Sequence, residues 1–115
     1  MLAAGTLTRI EHRDQRCVII LAGEIDIAVA GGLTDLGCAT IATTDARGIV
    51  VDLTRVGFMD RAGLSVLVAF RNAALARGLP LRLLGPSRTV RKVLTITGLD
   101  ALFTFSQNND VNHGS

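Results

Sequence analysis

The pattern that most limits the fold of this chain is an alternation of short apolar segments with longer segments of helical period. Residues 48–53 (Gly-Ile-Val-Val-Asp-Leu) are apolar and β-branched, as is typical of a buried central strand. A helix-periodic segment begins after Asp60, and Gly78 and Pro80 mark its end. Residues 81–84 form the next apolar strand. Because a strand, a helix and a strand in this order make a right-handed parallel crossover, the centre of the chain predicts an α/β fold.

The N-terminal part extends this pattern by a hairpin and a helix. Residues 7–12 alternate apolar and polar side chains, and residues 16–22 are a continuous apolar strand that we expect Gly23 to end. The short polar break between these strands predicts a hairpin. Residues 27–42 carry apolar side chains near helical spacing, and Asp26 is well placed to cap that helix.

The C-terminal part adds a third helix and a last strand. We expect residues 54–59 to be a connecting loop that contains Gly57. Ser87 is placed to cap a helix that Gly98 stops, and residues 99–105 predict a last turn and a short strand. The order of elements predicts an α/β sandwich with a mixed sheet, because the initial hairpin is antiparallel and the crossovers are parallel.

Size and composition suit one domain. Its predicted span is residues 7–105, with residues 1–6 as an N-terminal extension and residues 106–115 as a disordered polar tail. The net charge of +2 is too small to attract nucleic acid strongly, and a chain with no Trp or Tyr lacks an aromatic platform for bases. No apolar stretch approaches the roughly 18–20 residues of a spanning helix, and no signal peptide is visible. We therefore expect a cytoplasmic protein without membrane insertion.

Residue types that catalyse reactions form no recognisable motif. The chain has no Gly-rich phosphate loop and no Gly-x-Ser-x-Gly elbow, and neither His12 nor His113 has an evident nucleophile partner. Cys17 and Cys38 lack the Cys-x-x-Cys spacing, so buried or inert cysteines are favoured over a regulatory disulfide. The sequence predicts no enzyme activity, no cofactor and no metal site, and it leaves Cys17 and Cys38 as the only redox candidates.

The acidic residues point instead to a binding surface. Asp26, Asp52 and Asp60 lie at or just after the ends of predicted strands, and two of them precede helices. In an open α/β sheet the carboxyl ends of strands and the N-termini of helices gather at one edge, where binding sites form. A phosphoryl group at such a helix N-terminus would be stabilised, and it would add about −1.5 to −2 charges to a docking surface. Simple helix capping explains the same aspartates equally well.

Three segments carry a resemblance to a known family. They are Gly-Glu-Ile-Asp at 23–26, Val-Asp-Leu-Thr-Arg-Val-Gly-Phe-Met-Asp-Arg-Ala-Gly-Leu-Ser-Val-Leu at 51–67, and Leu-Gly-Pro-Ser at 84–87 followed by Val90, Leu94 and Thr-Gly-Leu-Asp at 97–100. In this order and spacing they resemble the STAS domain of bacterial anti-sigma factor antagonists, over nearly the whole chain. The resemblance implies a mixed sheet of four to five strands with helices packed mainly on one face.

The resemblance also implies a function by partner switching. An unphosphorylated domain of this kind binds an anti-sigma factor of the GHKL kinase type, which releases a sigma factor to direct transcription. The kinase phosphorylates a Ser or Thr immediately after the loop aspartate, and a phosphatase of the PP2C type resets the domain. Carried over by position, the partner-facing residues of this chain are Glu24, Asp26, Asp60, Arg61, Ala62, Gly63 and Ser65.

This chain departs from the family pattern at the phosphoacceptor. Arg61 follows Asp60 where the family has a hydroxyl, and Ala62 comes next. Ser65 lies about one helical turn further on, where an ordinary exposed position is expected, and Thr54 is an alternative acceptor without support. We expect an antagonist that cannot be phosphorylated at this position. Such an antagonist either binds its partner permanently or is adapted to a partner with a complementary acidic patch.

Two other functions would use the same surface. One is a STAS-like accessory subunit that docks on the permease of an ABC-type membrane transporter. The other is a ligand or nucleotide sensor built around Thr54, Arg55 and Arg61, which lacks a phosphate-binding motif. The sequence leaves the sigma factor, the stimulus and the oligomeric state open.

Overall fold

A five-stranded mixed sheet organises the described residues, 7–106 of a computed structural model, with side chains from Arg9 onward. The strands lie in the order β1-β2-β3-β4-β5; β1 is antiparallel to β2, and the other neighbours are parallel. The predicted extension at 1–6 and residues 107–115 of the predicted tail lie outside the described residues. Along the chain the elements are β1 (Leu7–Arg13), β2 (Arg16–Ile25), α1 (Ile27–Thr43), β3 (Gly48–Met59), α2 (Arg61–Ala76), β4 (Leu81–Leu84), α3 (Arg88–Ile96), a 3-10 turn (Leu99–Leu102) and β5 (Thr104–Ser106).

The two faces of the sheet differ in what covers them. Side chains alternate between faces along a strand, so Ile19 and Val51 point to the helices while Val18 and Val50 point away. The helix-side face carries the main core, to which all of α1, α2 and α3 contribute buried side chains. The other face has a small buried cluster made by Val18, Ile20, Val50 and Leu84. This arrangement confirms the predicted mixed sheet with helices mainly on one face.

Helices α1 and α2 pack closely because one glycine makes room for a ring. Phe70 of α2 is fully buried, and its ring occupies the space that a Cβ at Gly37 of α1 would need. At the other end of the pair, Nη1 of Arg77 donates to the carbonyl oxygens of Ile41 (2.8 Å) and Thr44 (2.7 Å). These are carbonyls that the last turn of α1 leaves without helical partners. The two helices are thereby joined both along their contact and at their C-terminal ends.

Two predicted boundaries are wrong, and they are wrong for one reason. Strand β2 does not end at Gly23 but reaches Ile25, and residues 54–59 are not a loop but the second half of β3. The two segments pair with each other in parallel, Gly23 opposite Val56 and Ile25 opposite Met59, with shifts of register on either side of Gly23. Gly23 has a φ of 89°, which a glycine adopts at little cost within such an irregular strand. The extra pairing carries both strands to the same edge of the sheet.

The predicted helix signals are otherwise confirmed, with one exception. Asp26, Asp60 and Ser87 are N-caps whose side chains accept a backbone N–H, and β4 has its predicted bounds. The helical repeat predicts a buried side of α2 made of Leu64, Leu67, Val68, Ala74 and Leu75. Leu75 is the exception, since it is 57% exposed. Ala74, which the same repeat assigns to that side, is buried as expected. Ser106, expected in the tail, is the last residue of β5.

Candidate functional site: the carboxyl edge of the sheet

The ends of β2 and β3 bring two helix-capping aspartates to one edge. Oδ1 of Asp26 accepts the N–H of Ala28 at 3.0 Å, and Oδ1 of Asp60 accepts the N–H of Gly63 at 3.1 Å. The N–H of Asp60 donates to the carbonyl oxygen of Ile25 at 3.3 Å, so the two caps follow directly from neighbouring strand ends. Both aspartates are half-buried. We name the surface formed by Glu24, Asp26, Ile27, Phe58, Asp60 and Arg61 the carboxyl edge.

Two large apolar side chains on the carboxyl edge are exposed, and sequence reasoning missed both. Ile27, the first residue of α1, is 82% exposed, and Phe58 of β3 is 45% exposed. Phe58 lies opposite Glu24 in the strand register. Single exposed apolar residues are ordinary, but two of them beside carboxylates at adjoining strand ends suit an interaction surface. In the sequence, Ile27 directly follows Asp26 and Phe58 lies two residues before Asp60. These positions become informative only when β2 and β3 are known to pair.

The predicted partner-facing residues of α2 divide into exposed and buried positions. Arg61 and Ser65 are exposed and Ala62 is half-buried, whereas Gly63 is buried. A Cβ at Gly63 would collide with Cγ of Met59 and lie 2.5 Å from the carbonyl oxygen of Ile25. Gly63 therefore does not present a surface to a partner; it lets the first turn of α2 approach the ends of β2 and β3.

An apolar groove begins beside Arg61 and was not foreseen. The hydroxyl of Ser65 donates to the carbonyl oxygen of Arg61 at 3.2 Å, one turn along α2. Ile96, at the end of α3, is 73% exposed and forms part of the opposite wall. The groove has a volume of about 640 Å³ and combines a cationic end with an apolar interior. Its lining residues are Arg61, Leu64, Ser65, Val68, Ile96, Thr97 and Leu99.

The alternative acceptor Thr54 lies on β3, not in a loop. Its N–H and its hydroxyl both donate to Oδ1 of Asp52, at 2.9 Å and 2.6 Å. Asp52 therefore binds the backbone and the side chain of Thr54 within β3, and it does not precede a helix. Arg55, the next residue, pairs with Ala22 of β2. The three sensor residues Thr54, Arg55 and Arg61 therefore come from a strand and a helix start, without a phosphate loop.

The two cysteines are free thiols in environments that disfavour the reactive thiolate. Cys17 is fully buried, and burial raises the pKa of its thiol against an opposing hydrogen bond with Thr44. Burial also raises the pKa of the Cys38 thiol, and the charge of Asp35 adds to that effect. The thiolate is the species that is oxidised and alkylated, and a raised pKa lowers its share at neutral pH.

Other candidate groups are dispersed over the fold. His12 is exposed on β1, and His113 lies outside the described residues. Within residues 9–106 no cluster of three or more His, Cys, Asp or Glu side chains has the arrangement of a metal site. None of the helices in the described part of the chain combines the length and apolar character that a membrane crossing requires.

The comparisons with known proteins agree with this architecture. Residues 8–111 match the family of the STAS domain. The chain belongs to the STAS domain family. The anti-sigma-F factor antagonist RsfA of Mycobacterium tuberculosis is 32% identical to it over 90 residues, which are 77% of this chain and 70% of RsfA. The anti-sigma factor antagonist SpoIIAA in its unphosphorylated form superposes on this STAS domain with a TM-score of 0.75 at 25% identity, covering 90% of this chain and 91% of SpoIIAA.

A transporter-related structure has the same fold at lower identity. A sulfate transporter family protein from Wolinella succinogenes superposes with a TM-score of 0.71 and 18% identity, covering 90% of this chain and 88% of that protein. At this identity the similarity concerns the fold alone.

Proposed function

We propose that this STAS domain is an anti-sigma factor antagonist, which binds an anti-sigma factor of the GHKL kinase type in the cytoplasm and so releases a sigma factor. The observation that carries the proposal is the carboxyl edge. There, two capping aspartates on adjoining strand ends are accompanied by exposed Ile27 and Phe58. Similarity to RsfA and SpoIIAA, both anti-sigma factor antagonists, supports the kind of partner.

The carboxyl edge contains both parts of a protein-binding surface. Ile27 and Phe58 are apolar anchors, and full burial of one such side chain contributes about 1.5–3 kcal/mol. Each capping carboxylate uses an oxygen for a backbone N–H and retains lone pairs that a partner Arg or Lys can occupy. Charges of this kind orient a partner and speed its association, while the buried anchors hold the complex together.

Arg61 changes what the partner must provide. Its guanidinium cannot form the phosphate ester that a Ser or Thr at this position would form, so phosphorylation here does not release the partner. The same guanidinium stands at the end of the apolar groove. We therefore propose a partner that places an acidic side chain on Arg61 and an apolar side chain in the groove.

Calorimetric titration of the protein with its cognate anti-sigma factor tests the docking surface. Phe58→Ala should weaken binding about tenfold or more, because it removes a central anchor. Leu36→Ala is the matched control, since Leu36 is 44% exposed against 45% for Phe58 and lies on α1 away from the carboxyl edge. Equal affinities for the two variants would contradict the proposed surface.

A phosphorylation assay with the same partner and ATP tests the role of Arg61. The natural chain should incorporate no phosphate at the junction of β3 and α2, where Asp60 and Arg61 lie. Arg61→Ser should become a substrate there if the kinase docks as proposed. Arg61→Ala removes the cation without adding a hydroxyl and should remain unmodified. Efficient modification of the natural chain near Asp60, located by mass spectrometry, would disprove the claim of phosphorylation-independent binding.

The accessory-subunit function makes a different prediction in an affinity pull-down from native cells. Recovery of a GHKL-type kinase with the natural chain, and its loss with Phe58→Ala, supports the antagonist. Recovery of a transporter permease without such a kinase overturns it.

A further inference from the structure

A pocket lies at the opposite end of the sheet, where the parallel strands begin. It has a volume of about 310 Å³, and three arginines from separate segments line it: Arg16, Arg47 and Arg82. Arg16 starts β2, Arg47 precedes β3 and Arg82 belongs to β4. We name this site the amino-end pocket and define it by Asp14, Arg16, Arg47, Gly48, Val50 and Arg82.

The strand register explains why Arg16 and Arg82 lie beside a gap. Arg16 of β2 lies opposite Gly48 of β3, and Arg82 of β4 lies opposite Val50. Side chains alternate between the two faces along a strand, so Arg16, Gly48 and Arg82 lie on the face that the helices do not cover. Val18 and Val50 belong to the same face. Gly48 has no side chain to fill the space between the flanking strands, so the central strand forms the floor of the pocket.

Backbone hydrogen bonds join the segments that carry the pocket. The N–H of Arg47 donates to the carbonyl oxygen of Gln15 at 2.8 Å, which ties the approach to β3 to the hairpin turn. The N–H of Ile49 donates to the carbonyl oxygen of Pro80, also at 2.8 Å. The two turn residues, Asp14 and Gln15, have φ values of 51° and 65°, a conformation that costs non-glycine residues energy and is retained when the surroundings impose it. The walls are therefore connected elements, not independent loops.

The charges of the pocket favour a divalent anion. Three arginines and one aspartate give its lining a net charge of +2. Nη1 of Arg82 donates a hydrogen bond to Oγ of Ser106 at 3.3 Å. Because a guanidinium has five N–H donors, this bond leaves others of Arg82 for a ligand. Arg47 and Arg82 are exposed, so their side chains reach solvent and an incoming ligand.

We propose that the amino-end pocket binds a phosphoryl dianion, either free phosphate or the phosphate group of a small metabolite. The forked guanidinium matches two oxygens of a tetrahedral anion at once, which is why arginine is preferred at phosphate sites. The volume lies at the lower end of the roughly 300–1,000 Å³ of small-molecule sites. Strand β3 begins at the pocket and ends at the carboxyl edge. The ligand and the protein partner therefore bind at opposite ends of the sheet.

NMR titration of the ¹⁵N-labelled protein tests this site with inorganic phosphate and with glucose 6-phosphate, at constant ionic strength maintained with chloride. The amides of Gln15, Arg47 and Gly48 should shift and saturate, while those of Ala28 and Gly63 at the carboxyl edge should not. Tighter binding of glucose 6-phosphate assigns the site to a phosphorylated metabolite, and equal affinity assigns it to free phosphate. Shifts that fail to saturate, or citrate binding as tightly as phosphate, would overturn the proposal.

Charge-matched variants separate the pocket from general attraction of anions. Arg47→Gln and Arg82→Gln should each weaken phosphate binding about tenfold, because each removes a charge-assisted bidentate contact. Arg88→Gln removes the same charge from an exposed position outside the pocket and should leave the affinity unchanged. Equal weakening by all three variants contradicts the site. Binding of the anti-sigma factor by these variants is measured in parallel, so failure of the phosphate site is distinguishable from failure of the docking function.

Discussion

The two ends of the parallel strands differ in charge and in what their charges do. The carboxyl edge carries three acids and one arginine, and its aspartates cap the N-termini of α1 and α2. At the amino end, Arg77 donates to the last carbonyls of α1, and three arginines line the pocket with one aspartate. Parallel β-α units place all helix N-termini at one edge and all C-termini at the other, and the helix dipole favours acids at the first and bases at the second.

The comparison shows that charge alone does not identify a functional surface in this fold. Asp26, Asp60 and Arg77 each have the sign that the helix dipole favours, so a structural role accounts for them. The informative residues are those that the dipole does not explain. Arg61 places a cation at a helix N-terminus, and Ile27 and Phe58 expose apolar surface beside carboxylates.

The largest expected difference between the two ends concerns their glycines. Gly63→Ala should lower the free energy of unfolding by about 2–3 kcal/mol, because its Cβ would meet the backbone of Ile25. Gly48→Ala should change it by less than about 1 kcal/mol, since its Cβ would lie 3.5 Å from Pro80. Urea unfolding followed by circular dichroism measures both, as the chain has no Trp. Similar losses for both variants would refute the close approach at the carboxyl edge.

The next effect concerns the arginine that joins the helix C-termini. Arg77→Ala should destabilise the protein by about 2 kcal/mol, because two carbonyls of the α1 terminus lose a charged donor. Arg88→Ala, at an exposed position on α3, should stay within about 0.5 kcal/mol of the natural protein. The same unfolding experiment compares them, and a loss for Arg88→Ala as large as that for Arg77→Ala would exclude a specific role for the Arg77 contacts.

The helix caps at the carboxyl edge should contribute less to the free energy of unfolding than the Arg77 contacts do. Asp60→Ala should cost about 1 kcal/mol of stability, since the N–H of Gly63 loses its acceptor. Asp60→Asn keeps an acceptor oxygen and should retain most of that stability while removing the charge. If binding of the anti-sigma factor uses the charge, Asp60→Asn weakens binding without unfolding the protein. Thermal denaturation and calorimetric titration of the two variants together distinguish the cap from the contact.

The smallest expected effect is that of the cation at the start of α2. Arg61→Ser should raise the free energy of unfolding by about 0.3–1 kcal/mol at low ionic strength, because a positive charge no longer opposes the helix dipole. The gain should disappear near 1 M salt, where exposed charges are screened over about 3 Å. Unfolding curves at both salt concentrations check this, and an undiminished gain in high salt would mean that the dipole is not its cause.

Local sequence patterns predicted the hydrogen bonds whose two partners lie within a few residues of each other along the chain. Asp26 caps through Ala28, Asp60 through Gly63 and Ser87 through Val90, and all three were predicted from residue type and position. The resemblance to the STAS family likewise depended on short segments in a fixed order, and it pointed to the right fold. The partner-facing role of the predicted residues remains a proposal, and Gly63 is buried among them.

The sequence by itself determined the order of strands and helices, the caps and the identity of the residue at position 61, because each depends on neighbouring residues or on the chain alone. Only the tertiary structure decided that residues 54–59 continue a strand, that Ile27 and Phe58 are exposed at one edge, and that Arg16 of β2 and Arg82 of β4 lie on either side of β3. Each of these depends on pairing between residues more than twenty positions apart. Such pairing is settled by burial of the whole sheet against the helices, which no local pattern encodes.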